Sequence, residues 1–134
     1  MLEKFTWYKQ SAYKWKGEGI TVYIDPWGLR AQEEPADVVF ITHAHADHFE
    51  PTDIEQVKTD VALICVGGDP YVMNASEAAG VVKKIKPELA VPNHYGFVVG
   101  VASDGETFAK EAAPINVQIM KPVNAFERTG AATH

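Results

Sequence analysis

Three histidines and an aspartate fall within six residues, His43-Ala44-His45-Ala46-Asp47-His48, directly after the apolar run Asp37 to Thr42. In extended chain, alternate side chains share a face, so His43 and His45 can approach one cation together while the alanines between them crowd nothing. Asp47 and His48 follow where the strand must turn into FEPTDIEQVK, and that bend can aim a second pair at an adjacent position. Imidazole with carboxylate favours zinc, manganese or iron over calcium or magnesium. The absence of a thiolate pair points to a hydrolytic centre more than to a structural zinc. A fourth imidazole, His94 in VPNHYG, closes another expected strand, and strand ends on one edge of an α/β sheet are where such residues converge.

The elements that must position these groups are legible as periodicities. Ile20 to Asp25, Asp37 to Thr42 and Val61 to Val66 are short β-branched runs closed by turn residues, which predicts strands. Upstream, KFTWYKQ and SAYKWKG alternate aromatic with polar residues and predict two edge strands, with Gly17 and Gly19 supplying the hairpin into the third. After VALICV and the turn GGDP, Asn74 or Ser76 can cap a helix carrying Ala78, Ala79, Val82 and Ile85 on one face, and Pro87 stops it. LAVPN predicts a strand, SDGETFAKEAA a helix opened by Ser103 or Asp104, and NVQIMKP a last strand. The pattern is α/β: a mixed sheet with helices on at least one face.

The 134 residues suit one domain, expected over 1–123, with 124–134 as a flexible tail. A formal net charge of -6 disfavours nucleic acid and anionic membrane surfaces as partners. No apolar stretch reaches the roughly 18 residues of a membrane span, and the N-terminus lacks the apolar core of a signal peptide, so a cytoplasmic location is expected. Cys65, the single cysteine, lies in an apolar run and reads as a buried structural thiol.

HAHADH resembles the HxHxDH signature of the metallo-β-lactamase superfamily, whose fold is an αββα sandwich holding one or two metals. ITVYIDPW resembles that family's strand ending in an aspartate. VGGDPYVMNASEAAGVVKKIKPELAVPNHYG is similar to its C-terminal part, most of all in the branch of ascorbate-6-phosphate lactonase-like metal-dependent hydrolases. The resemblance implies His43 and His45 at a first metal site and Asp47, His48 and His94 at a second, with Asp25 supporting the ligands from behind. It also implies an internal deletion: the passage from HFEPTDIEQVKTD to VALICV is too short for the strands, third first-site histidine and bridging aspartate of longer members. Asp69 in GGDP is a candidate for completing the site, although a turn beside Pro70 explains it as well. Losing inner strands exposes apolar sheet, which a homodimer would cover.

The expectation is a metal-dependent hydrolase in which one or two zinc or manganese ions activate water toward a small-molecule ester, lactone or phosphoester. Asp47 would serve as ligand and proton handler. The alternative is a shortened metal-binding or interaction domain without turnover.

Overall fold

A computed structural model describes residues 1–30, 32–42, 53, 57–68 and 72–130. Its framework is one mixed six-stranded sheet in sequence order: β1 (Phe5–Lys9), β2 (Ala12–Gly17), β3 (Ile20–Ile24), β4 (Val38–Ile41), β5 (Val61–Cys65) and β6 (Leu89–Asn93). β1, β2 and β3 pair antiparallel, and β3 through β6 pair parallel. The hairpin between β2 and β3 turns on Glu18 and Gly19, both with positive φ (52° and 79°), the conformation whose twist matches the flanking strands.

Among the described residues α1 (Ala75–Ile85) lies between β5 and β6 and α2 (Asp104–Ala112) follows β6, and the two pack on each other. Asn74 caps α1: its side chain accepts from the Glu77 backbone N–H at 2.8 Å, and Glu77 Oε1 accepts in return from the Asn74 N–H at 3.0 Å. Lys86 ends the helix in the left-handed conformation just before Pro87. Of the two cap candidates, the structure therefore selects Asn74; Ser76 instead donates to Glu111 Oε2 in α2 at 2.6 Å.

The core is one cluster on one side of the sheet. Tyr23, Val39, Ile41, Ala62, Ile64 and Ala90 share one face and one cluster with Ala78, Ala79, Val82, Phe108 and Ala112, with α1 packed on β5 and α2 on β6. The strand periodicity of two sends the alternate residues to the opposite face, where most remain partly exposed. The α/β class and mixed sheet follow the sequence expectation, and among the described residues the helices cover one face only.

The expected last strand over NVQIMKP shrinks to a single parallel bridge. The Ala90 N–H donates to the Asn116 carbonyl and the Gln118 N–H to the Ala90 carbonyl, and pairing stops there. Pro92, two residues after Ala90 on the same edge of β6, has no N–H with which to continue the ladder. Beyond position 123, the Glu127 and Arg128 N–H groups donate to the Gly96 carbonyl and the Ala102 N–H donates to the Arg128 carbonyl, so residues up to Arg128 are tied to the loop after β6.

Candidate active-site edge

Because β3, β4, β5 and β6 run parallel, their C-terminal ends fall on one edge of the sheet, the edge where α/β folds gather chemistry. Asp25 follows β3, Thr42 follows β4, Cys65 ends β5, and His94 follows β6. The register brings Cys65 beside Asn93 and Ile64 beside Ile41, so these four ends are consecutive neighbours.

Asp25 is the anchor of this edge. It is 2% exposed and takes a positive φ of 44°, which an aspartate tolerates better than most residues. Its Oδ1 accepts from the Thr42 backbone N–H at 2.8 Å and its Oδ2 from the Thr42 hydroxyl at 2.7 Å. A charged acceptor gripping both donors of one residue is among the stronger neutral-to-ion arrangements a protein can make. It fixes the backbone at the residue immediately before His43.

His94 is exposed, and its backbone is left-handed with φ of 63°. Gly67 lets it come close to the end of β5: a Cβ at Gly67 would collide with the His94 carbonyl oxygen and a Val99 methyl. Tyr95 turns away from the edge and into the core, stacked on Phe126 with ring centroids 5.5 Å apart. The Cys65 thiol is pushed up to about 11, first by burial and then by the charge of Asp25, so it stays protonated and inert at neutral pH. This matches its expected structural role.

His43, His45, Asp47, His48 and Asp69 lie outside the described residues. Among the described residues no group of three or more His, Cys, Asp or Glu side chains is arranged to hold a metal. On the described edge Asp25 and Thr42 are in direct contact, while His94 stands on the same edge with β4 and β5 between its strand and that of Asp25. A buried carboxylate that orders a neighbouring strand end, and an exposed imidazole on the same sheet edge, are group types that a divalent-cation site uses. The pairing of Asp25 with Thr42 is signalled in the sequence only by an aspartate at the end of one strand and a threonine at the end of another.

Residues 4–59 match the profile of a β-lactamase superfamily domain. Over 70 residues the chain is 37% identical to a "UPF0173 metal-dependent hydrolase" of Staphylothermus marinus, covering 50% of this chain and 30% of that protein. Over 97 residues it is 36% identical to a similarly named protein of Thermococcus onnurineus, covering 68% of this chain and 42% of that protein. The chain therefore spans about a third of the length of the curated relatives it matches. A solved structure, a metallo hydrolase from Ignicoccus hospitalis KIN4/I, aligns with 88% of this chain and 94% of its own at 17% identity and a TM-score of 0.44.

Proposed function

We infer that this chain, which belongs to the metallo-β-lactamase superfamily, is a metal-dependent hydrolase working at the edge formed by the ends of β3 to β6. The observation that supports this most directly is the Asp25 clasp on Thr42. A buried carboxylate that orders the residue before a histidine cluster is what a ligand-bearing strand end requires. His43, His45, Asp47, His48 and His94 would hold one or two zinc or manganese ions, which supply Lewis acidity toward water and toward a scissile ester, lactone or phosphoester bond. Asp47 accepts the proton of the attacking water. His94, just after β6, would be a further ligand, Asp69 would be the candidate to complete the set, and Asp25 would position the cluster without touching substrate. The substrate is a small molecule.

The chain works as a homodimer, a reading supported by the apolar sheet face that the helices leave uncovered. Its lone buried cysteine suits a reducing, cytoplasmic setting. Among the described residues no helix is long and apolar enough to cross a membrane.

Metal analysis of purified protein tests the assignment. The wild type should retain at least one transition-metal ion per chain, and the double variant His43→Ala/His45→Ala should lose it with its far-ultraviolet circular dichroism intact. Asp47→Asn should lower hydrolysis of a lactone, ester and phosphodiester panel by roughly a hundredfold or more. Unchanged metal content in the double variant would overturn the ligand assignment. Metal-loaded wild type that turns over nothing in the panel would overturn the hydrolase.

A further inference from the structure

The face of the sheet opposite the helices carries two continuous apolar rows. Strand register places Phe5, Trp15, Val22, Val38, Val61 and Leu89 directly beside one another across all six strands. Two residues further along each strand pair, Trp7, Tyr13, Ile24, Phe40, Leu63 and Val91 form the second row. Neither row contains a charged side chain. The rows are graded in size, with aromatic residues on β1 and β2 and, apart from Phe40, aliphatic residues on β3 to β6.

Three observations say what covers this face. The first is area: Trp7 is 66% exposed, Phe5 39% and Tyr13 36%. With about 150–250 Å² on each aromatic side chain, and the partly exposed aliphatic residues added, one face offers on the order of 600 Å². Two such faces together remove roughly 1,200 Å² from water, which reaches the lower bound of a stable specific interface.

The second is an anchor. Trp7 stacks beside Tyr13, and its indole N–H already donates to the Gln10 carbonyl at 2.8 Å, so the exposed ring has no polar need left to satisfy. The third is a receptacle at the other end of the same row. There the segment after Val117 leans over β5 and β6 and leaves a cleft of about 390 Å³, whose walls include Leu63, Val91, Met120, Val123 and Phe126. That volume admits an indole.

We propose that a second copy of this chain packs face to face on this surface about a two-fold axis parallel to the strands, so that Trp7 of each copy enters the cleft beside Val91 of the other. This arrangement sets the aromatic edge of one sheet over the aliphatic edge of its partner and keeps each row over itself. An isologous contact requires that kind of self-complementarity. Aligned sheets pack this way with their side chains interdigitated. The inference rests on the homodimer proposed above and adds the face, the axis and the anchor.

Sedimentation equilibrium of the full chain between about 1 and 100 µM, the range in which a standard-size interface is populated, tests both levels separately. The wild type should sediment at twice its 14.7 kDa mass. Trp7→Glu should weaken dimerisation roughly thirtyfold or more, as loss of a tryptophan hot spot does, with circular dichroism unchanged. Val123→Glu, at a position already fully exposed, should do the same without burdening the fold. The pair Trp7→Cys/Val123→Cys should form an intermolecular disulfide, whereas Trp7→Cys alone should not. A wild-type monomer at the highest concentration would overturn the homodimer itself. A dimer that survives both glutamate variants, or that cross-links through Trp7→Cys alone, would retain the homodimer and overturn this face and axis.

Discussion

Asp25 holds Thr42 through its amide and its hydroxyl at 2.8 and 2.7 Å, and this clasp couples the fold to the chemistry proposed beside it. Asp25→Asn keeps the shape, removes the charge, and turns one of the two acceptors into a donor facing a donor. Hydrogen bonds to a buried charge contribute about 1.5–3 kcal/mol each, so the variant should lose about 2 kcal/mol or more of stability in a urea titration. Metal content should fall in parallel, because the strand end before His43 is no longer held. Full stability in Asp25→Asn would mean the clasp contributes little. At the same edge Cys65, its thiol raised to about 11 by burial and the charge of Asp25, is a packing residue and takes no part in the chemistry.

At the scale of elements, the α1 cap decides where the helix begins and therefore how Ala78, Ala79 and Val82 meet the sheet. Asn74→Ala removes the arm in which the Asn74 side chain accepts from the Glu77 N–H, and leaves the Asn74 backbone N–H to donate to Glu77 Oε1. It should cost about 1 kcal/mol by denaturant unfolding, whereas Asn74→Gly should cost only a few tenths. Equal losses from the two substitutions would show that the cap side chain is not the source. The sheet shows the same dependence on local chemistry. The Glu18–Gly19 turn sets the register of β2 against β3, and that register builds both apolar rows.

For the whole molecule, the helix-side surface of β1 and β2 is closed by charge. Lys14 bridges Glu33 at 3.1 Å and Glu34 at 3.0 Å, with Lys16 on Glu34 as well, and the Tyr23 hydroxyl donates to the Glu34 carbonyl at 2.8 Å. Burial alone would raise the Glu33 carboxyl, but Tyr8, Arg30 and Lys14 outweigh it and hold it below the ordinary glutamate value of 4.5. Lys16 and Lys14 lower Glu34 in the same direction. A carboxylate whose folded value is depressed binds its proton more readily in the unfolded chain. Its contribution is therefore complete above the unfolded value and lost as pH falls through the folded one. Stability should decline as pH drops below about 4.5, and Glu33→Gln should flatten that acid limb while lowering stability at neutral pH. Thermal unfolding at pH 3, 4, 5 and 7 checks this, and an acid limb unchanged in Glu33→Gln would contradict it.

Local pattern was enough to determine the six strands of the sheet, both helices and the β2–β3 hairpin, and it narrowed the α1 cap to Asn74 or Ser76. Each is set by side-chain periodicity or by one turn residue, and these act over a few positions in the chain. It also singled out His43, His45, Asp47, His48 and His94 as the ligands proposed here, because candidate ligand chemistry is carried by residue type. Tertiary structure decided the rest. The strand expected near Val117 became a single bridge, since a ladder needs a continuous supply of donors and a partner edge to receive them. The grip of Asp25 on Thr42 appeared only when β3 and β4 lay parallel with their ends together, across 17 positions of sequence. The two apolar rows likewise exist only in the register of six strands, because each strand contributes two residues that look, along the chain, like ordinary alternation.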